Sequence, residues 1–360
     1  MHLLFDARHI NPKIDGLARY VINLLNNLPE SDNKISLLCK PQIDTKLFAC
    51  PEKFQFLETQ IPSNAPLQNL NFLNKFKNFK PDVYFNPFID GPLCSPIKKN
   101  IFAIHDLNHY FFSPFAATER KYAILYAKFA INMMAKTYDR TIVFSNFVKK
   151  QVIDKTLVKE NKISTIYHGF EKFGDDEIMS PTSDSKYILY VGNNRPHKNL
   201  KNLLDGFQQS SLPDNGYKLV LAGNQISRFF NIEDYIVNNN LRSVEFINYP
   251  NDVMLGELYK NCFAVVYPSV SEGFGFPLLE TWHYKKPILC SNTSCLPEIG
   301  GDGALYFNPF SQESIANALN DIIHNKNLRE SIIKTGETQL LKYSWTKSGK
   351  EHFNVFFEEN

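Results

Sequence analysis

Residues 263–280 constrain this chain more than any other stretch. Phe263-Ala264-Val265-Val266-Tyr267 is an unbroken apolar run, the pattern of a parallel strand buried on both faces. It leads into Ser269-Val270-Ser271-Glu272-Gly273-Phe274-Gly275-Phe276-Pro277-Leu278-Leu279-Glu280. The two glycines turn the chain, and Pro277 falls where a helix begins, a place that tolerates a missing N–H. Strand, glycine turn and helix start together leave free backbone N–H groups at the strand's carboxyl end, an arrangement suited to an anion or a ring of hydroxyls. Glu272 lies in the turn and Glu280 in the first helical turns, so two carboxylates can face one ligand from different sides of the bend. A nucleoside diphosphate sugar meets both demands, since its phosphates accept from N–H groups and its hydroxyls donate to carboxylates. Glu280, close to a helix N-terminus, is expected to stay ionised and to accept from two ribose hydroxyls; Glu272 is expected to hold a sugar hydroxyl. Spacing alone leaves a plain structural turn with two solvated glutamates equally open, because short glycine motifs recur by chance.

The rest of the chain supplies a setting for such a turn. At 360 residues it is long for one domain and suits two. Short apolar strands alternate with helical patterns from the first residue: 2–6, 35–38, 81–85, 101–104, 141–144 and 163–167, with helices after the first strand, over 119–138 and from 145. Residues 171–186 are polar and turn-rich and are read as a linker. The rhythm then restarts with strands at 187–191, 219–223, 244–249 and 263–267, and ends in helices over 311–323, 326–342 and 344–359. The expected division is 1–170, linker 171–186, 187–343, and a terminal helix 344–360.

Several function classes are disfavoured. A net charge of +2 does not suggest wholesale nucleic-acid binding. No Gly-x-Gly-x-x-Gly follows a strand, and there is no phosphate-loop lysine motif. No Asp-x-Asp or zinc-spaced His/Cys cluster occurs, so a metal on the diphosphate is not implied. The six cysteines (39, 50, 94, 262, 290, 295) are scattered and often sit in apolar runs, which suggests buried thiols in a reducing compartment. The N-terminus lacks a signal-peptide pattern, and no apolar stretch approaches the roughly 20 residues of a membrane span. A cytoplasmic location is expected. Residues 66–80 carry Leu70, Leu73, Phe76 and Phe79 among three lysines, which suits either a packed surface helix or peripheral contact with the inner face of a membrane.

The block at 269–280 resembles the Glu-x7-Glu signature of the family 4 retaining glycosyltransferases, and Lys286-Pro287-Ile288 through Asn308-Pro309 continues the likeness. The family has the α/β GT-B fold: two facing Rossmann-like domains with parallel sheets, a cleft between them, and a C-terminal helix crossing back to the first. Asp6-Ala7-Arg8 followed by Asp15-Gly16-Leu17-Ala18-Arg19-Tyr20 is similar to the family's opening, whose glycine loop lies under the donor phosphates; Gly16 is present, but Ala18 stands at the second glycine. Ile104-His105-Asp106-Leu107 resembles the segment whose histidine reaches the donor sugar, and no family role falls on His109. Ser145 matches a serine at the cleft edge. Tyr190-Val191-Gly192 through Lys198-Asn199-Leu200 resembles the segment whose lysine neutralises the leaving diphosphate, which places that role on Lys198. Asn193 stands where some members have arginine, with Arg195 two residues on as a substitute. Asn248 and Lys285 stand where glycine is usual.

The resemblance implies transfer of a hexosyl group, mannosyl or similar, from a nucleoside diphosphate sugar such as GDP-mannose. The acceptor would be a saccharide or lipid-linked saccharide hydroxyl in polysaccharide or lipopolysaccharide biosynthesis, with no metal or other cofactor. It assigns catalysis to His105, Glu272 and Lys198. Substrate binding falls to Gly16, Asp106, Ser145, Arg195, Gly273, Phe274, Gly275, Phe276 and Glu280. The second domain would bind the donor and the first mainly the acceptor. The alternatives are a sugar-nucleotide 2-epimerase and an inactive nucleotide-sugar-binding subunit.

Overall fold

The structure is a computed structural model that describes residues 1–10, 16–41, 43–61, 78–89, 91–108, 121–170, 186–227 and 229–358. The basic amphipathic stretch as far as residue 77, His109 and the linker residues 171–185 lie outside the described residues. The chain divides into two compact units, Met1–Gly169 with Ser344–Asn360, and Phe170–Tyr343.

The first unit carries β1 (His2–Asp6), β2 (Lys34–Cys39), β3 (Phe54–Glu58), β4 (Val83–Asn86), β5 (Lys99–Ile104), β6 (Arg140–Val143) and β7 (Ile163–Thr165), all parallel, in the order β3-β2-β1-β4-β5-β6-β7. The second carries β8 (Tyr187–Val191), β9 (Lys218–Gly223), β10 (Val244–Asn248), β11 (Ala264–Tyr267), β12 (Ile288–Ser291) and β13 (Leu305–Phe307), also parallel, in the order β10-β9-β8-β11-β12-β13. Both are Rossmann-like α/β units. In each the winding reverses once, between β1 and β4 and between β8 and β11. The carboxyl edge at such a reversal is where ligands bind in open α/β sheets.

The near-continuous apolar runs are buried as parallel strands require: Leu3, Leu4 and Phe5 in β1, Val265 and Val266 in β11, and Ile288 and Leu289 in β12 are all almost fully buried. Strand β3 escapes the sequence reading, because Phe54-Gln55-Phe56-Leu57-Glu58 forms a half-buried edge with little pattern to detect. Helix α1 (Gly16–Asn26) buries Tyr20, Val21, Leu24 and Leu25 at helical spacing. The next helices are α2 (Lys121–Thr137), α3 (Asn146–Lys155), α4 (Leu200–Gln209), α5 (Ile232–Asn238), α6 (Asp252–Asn261), α7 (Phe276–His283) and α8 (Leu296–Gly300). The chain ends in α9 (Gln312–His324), α10 (Lys326–Leu340) and α11 (Trp345–Phe357). Side-chain oxygens of Ser145, Asn251, Ser311, Asn325 and Ser344 accept from helix N–H groups and stop the chain fraying at those starts. At the end of α7, Lys285 keeps the left-handed backbone of the glycine usual there, with φ of 53°, and pairs with Glu337 at 3.2 Å.

Two features anchor the first unit. At the end of β1 the buried Asp6 carboxylate accepts from Arg8 Nε at 2.8 Å, from Arg8 Nη2 at 2.6 Å and from the Tyr84 hydroxyl at 2.8 Å. Burial pushes the Asp6 carboxyl up, but the Arg8 guanidinium outweighs it and holds the group below its usual range. Helix α11 packs on α1 and β4, burying Trp345 and Phe356. The Phe356 ring lies 4.8 Å from that of Phe85. Gly349 permits this approach, since a Cβ there would stand 2.1 Å from the Asn27 carbonyl oxygen.

Among the described residues no helix is long and apolar enough to cross a membrane. Gly349→Val is expected to lower the first unit's stability by about 1–3 kcal/mol through overpacking. Trp345 reports on that unit and Trp282 on the other, so denaturation followed with each tryptophan silenced in turn separates the two. An unchanged midpoint in the Trp345 signal would contradict the packing.

Candidate active site

In the second unit, β8 and β11 are hydrogen-bonded neighbours at the winding reversal, so the loops that follow them lie side by side. Val270 N–H donates to the His197 carbonyl at 2.8 Å and ties the two loops together. The first loop ends in a single tight turn, Pro196–Lys198, closed by Asn199 in the left-handed conformation with φ of 59°. The Asn199 amide donates to the Pro309 carbonyl at 2.7 Å and holds that strained residue in place. This turn delivers Lys198 to the second loop. Its Nζ donates to Glu272 Oε1 at 2.6 Å and to the Tyr267 hydroxyl at 3.3 Å. Both charged side chains are only 14% exposed. Burial pushes the Glu272 carboxyl up; the Lys198 ammonium and its hydrogen bond, with His197 beside them, outweigh it and hold the group below its ordinary value. Glu272 is therefore ionised at neutral pH.

The glycine turn is built as its composition requires. Gly275 has φ of 117°, and a Cβ there would lie 2.9 Å from Leu296 Cδ2. Helix α7 starts at Phe276, with Pro277 as its second residue rather than its first. Phe274 is buried, with its ring edge-on to Phe276 at 5.4 Å and to Tyr343 at 5.6 Å. Gly273 is partly exposed beside it. The loop after β12 buttresses the turn from below. The buried Cys295 thiol lies 2.9 Å from the Phe274 carbonyl and 3.2 Å from that of Glu272, and the Thr293 hydroxyl donates to Val270 at 3.2 Å. Glu280 does not join the Lys198–Glu272 pair: its Oε2 accepts from the buried Tyr259 hydroxyl of α6.

Arg195 opens the Pro196–Lys198 turn, partly buried, with its backbone N–H donating to Asn193 Oδ1 at 3.1 Å. Its neighbour Asn194 is fully engaged elsewhere. The Asn194 amide donates to Phe230 and Ile226 carbonyls at 2.7 and 3.0 Å and accepts from Ile226 N–H at 2.7 Å, clasping the loop after β9. Gly192, just after β8, and Gly223, the last residue of β9, lie so close together that a Cβ on Gly223 would stand 1.8 Å from the Gly192 carbonyl oxygen.

The remaining sequence candidates lie at the carboxyl edge of the first unit's sheet. Gly16 starts α1, exposed, with nothing within 4 Å of a Cβ built on it. His105 and Asp106 directly follow β5. Asp106 Oδ1 accepts from Asn108 N–H at 2.9 Å, a local turn. Ser145 is fully buried, and its hydroxyl caps α3 by accepting from Val148 N–H at 3.2 Å. His105 Nε2 lies 3.0 Å from the Pro87 carbonyl, so that nitrogen carries the proton and Nδ1 keeps its lone pair. The ring stacks on Phe144 at 4.4 Å, and Phe144 stacks in turn on His168 at 4.1 Å. Tyr20 meets His105 edge-on at 4.9 Å, and its hydroxyl is 2.9 Å from Nε2 of His352 on α11. Burial pushes His105 down to about 3, His352 down to about 4, and His168 well below its ordinary value. Around His105 this edge is aromatic and its histidines are neutral, unlike the edge that carries Lys198 and Glu272.

Sequence reasoning missed Tyr267, His197, Cys295 and Tyr259 in the second unit, and Tyr20, His168 and His352 in the first. Tyr267 ends an apolar strand and reads as core, while Tyr259 and His352 reach their partners from helices far away in sequence. Cys295 carried a usable signal: a small residue soon after a strand, before Leu296-Pro297-Glu298.

Two outcomes follow from this geometry. The three histidines are neutral when folded, whereas the unfolded chain takes up protons below the ordinary value of 6.5. First-unit stability should therefore be greatest above pH 6.5 and fall steadily as pH drops toward about 4, where His352 also protonates in the folded state. Urea titrations at pH 7.5 and pH 5 that agree within error would rule this out, and His352→Gln should flatten the dependence. In the second unit, Cys295→Val removes a donor to the Glu272 turn and should cost about 1 kcal/mol, read through Trp282.

Residues 172–339 match the family model described as Glycosyl transferases group 1, and residues 14–172 match that described as Glycosyltransferase Family 4. The O-antigen chain mannosyltransferase RfbU of Salmonella typhimurium is 25% identical over 227 residues, 63% of this chain and 61% of that protein. The chain thus spans less than two thirds of the length of RfbU, and 45% of that of the O-antigen chain mannosyltransferase B of Escherichia coli. WaaG, a glycosyltransferase involved in lipopolysaccharide biosynthesis, aligns with a TM-score of 0.74 at 15% identity, over 99% of this chain and 100% of that one. Anabaena Alr3699/HepE, solved in complex with UDP-glucose, aligns with a TM-score of 0.71 at 16% identity, over 99% and 98% of the two chains. The structural likenesses establish the GT-B fold. The two family models divide between the two units and together run from residue 14 to residue 339, and on that ground the chain belongs to family 4 of the glycosyltransferases.

Proposed function

We propose that this protein is a retaining, metal-independent hexosyltransferase, with the second unit holding a nucleoside diphosphate sugar. The observation that carries this reading is the Lys198–Glu272 pair at the winding reversal of the second sheet, beside the N-terminus of α7. An ammonium held by a carboxylate and a phenol is preorganised to meet an anion without reorganisation. Lys198 and the α7 N–H groups meet the leaving diphosphate, with Arg195 as a second cation. Glu272 takes a sugar hydroxyl and Glu280 the ribose. The turn Gly273-Phe274-Gly275-Phe276 supplies backbone close to the phosphates.

Retention follows from attack on the same face as departure. The acceptor oxygen bonds to the anomeric carbon as the bond from that carbon to the diphosphate breaks, and the departing phosphate oxygen takes the acceptor's proton. Both bonding electrons leave with the diphosphate, whose added charge Lys198 and the α7 N–H groups meet in place of a metal, and no covalent enzyme intermediate forms. The first unit mainly takes the acceptor, with Gly16 and Asp106 assigned to substrate and His105 to the donor sugar near its reacting centre; Ser145, fully buried and capping α3, holds that edge in place. His105, uncharged at working pH, offers a hydrogen bond and no net charge. The names of RfbU and WaaG support a mannosyl or related hexosyl group passed to a saccharide or lipid-linked saccharide in surface-polysaccharide synthesis. A lipid-linked acceptor would bring the protein to the inner face of a membrane. The UDP-glucose complex of HepE supports a nucleoside diphosphate sugar as donor.

The test is a thermal-shift screen with UDP, GDP, ADP and their hexose conjugates, followed by product analysis with the best donor. The matching donor should raise the melting temperature, because it binds only the folded state. Lys198→Met and Glu272→Gln should each slow transfer by about 10²–10³-fold, and chelation of divalent cations should leave the wild-type rate unchanged. Stabilisation by none of the nucleotides would sink the proposal. An altered nucleotide sugar released without acceptor would show an epimerase instead.

A further inference from the structure

Glu280 is held from outside its own helix. Tyr259, near the end of α6, is completely buried and donates its hydroxyl to Glu280 Oε2. The Tyr259 ring is itself stacked on Tyr284, with centroids 5.5 Å apart and planes within 3°. Tyr284 follows α7 directly and is half-buried. A three-residue arrangement therefore fixes one carboxylate: a stacked ring sets the phenol, and the phenol sets the glutamate. A phenol that donates to a carboxylate favours its ionised form and restricts its rotation. A structural need alone explains this poorly. Of the other buried positions on this helix, Leu278, Leu279 and Trp282 are largely apolar and Thr281 satisfies its hydroxyl within the helix by donating to the Pro277 carbonyl at 2.6 Å, whereas the Glu280 carboxylate draws its buried phenol from another helix, where an apolar residue would pack without a partner.

We propose that Tyr259 is a positioning residue that orients Glu280 toward the ribose hydroxyls of a bound nucleoside diphosphate, with Tyr284 bracing it. This rests on the donor-site reading given above. Tyr259 does not touch the nucleotide; it acts through the carboxylate, so its removal should weaken only what that carboxylate recognises. The effect then depends on whether the ligand carries ribose hydroxyls, which a general packing defect would not do.

The experiment compares dissociation constants for UDP or GDP, whichever binds the wild type more tightly, with those for its 2′,3′-dideoxy counterpart. Tyr259→Phe should weaken binding of the ribonucleotide about tenfold, the scale of one hydrogen bond to a charged group, and leave the dideoxy nucleotide within about twofold. Tyr284→Leu, at a half-exposed position that should tolerate change, should show the same ribose-selective loss at smaller size and carries the test if Tyr259→Phe does not fold. Glu280→Gln with Tyr259→Phe should be no worse than Glu280→Gln alone. Equal weakening of both nucleotides, or no weakening of either, overturns the role of Tyr259 while the donor site stands. A wild type that binds neither UDP nor GDP overturns the donor-site reading and this inference with it.

Discussion

An ammonium and a carboxylate 2.6 Å apart, both largely withdrawn from solvent, join the two loops on which the second unit is centred. Desolvating two charges is costly, and an apolar pair of similar volume generally serves stability as well or better. Removing one partner alone leaves an uncompensated charge, at a cost of about 3–5 kcal/mol. The pair is therefore weakly motivated as a fold stabiliser and well motivated as part of a site. Its position agrees with that. Strands β8 and β11 are adjacent in the sheet but far apart in the chain, and the winding reversal between them brings their loops together at the edge where open α/β sheets bind ligands.

The surrounding residues keep that geometry from relaxing. Backbone groups of the Glu272 turn are engaged from the loop after β12 by Cys295 and Thr293, and from the loop after β8 by the His197 carbonyl. Asn194 extends the same clasp to the loop after β9. Four strand ends thus share one hydrogen-bonded rim, and each of these side chains satisfies a backbone group that the turns would otherwise leave open. The first unit has a different chemical character. Its buried charges, Asp6 and Arg8, close on each other at the end of β1, and the neighbouring edge is lined by neutral histidines and aromatic rings. One edge thus carries a charged pair and the other a stack of neutral rings.

Much of this was legible in the order of residues. Parallel strands buried on both faces must be unbroken apolar runs, so β1, β5, β8 and β11 announce themselves, and a glycine turn into a proline-bearing helix start marks α7. Ser145 as a cap, Glu272 and Lys198 could be read from local pattern and resemblance. Strand β3 could not, because a half-buried edge imposes no strong alternation. Pro277 does fall in the first turn of α7, and the helix starts one residue before it because the boundary depends on backbone angles at Gly275 that the residue type permits but does not dictate.

Sequence by itself determined the class of fold, the division into two similar halves and the local turns, since all three follow from short-range periodicity and backbone stereochemistry. Only the tertiary structure decided which side chains meet. Lys198 reaches Glu272 across 74 residues, Tyr259 reaches Glu280 across 21, and Tyr20 reaches His352 across 332. Each of those pairings depends on strand order and helix packing, which bring distant segments together through burial of apolar faces and leave no periodic trace at the residues that finally touch.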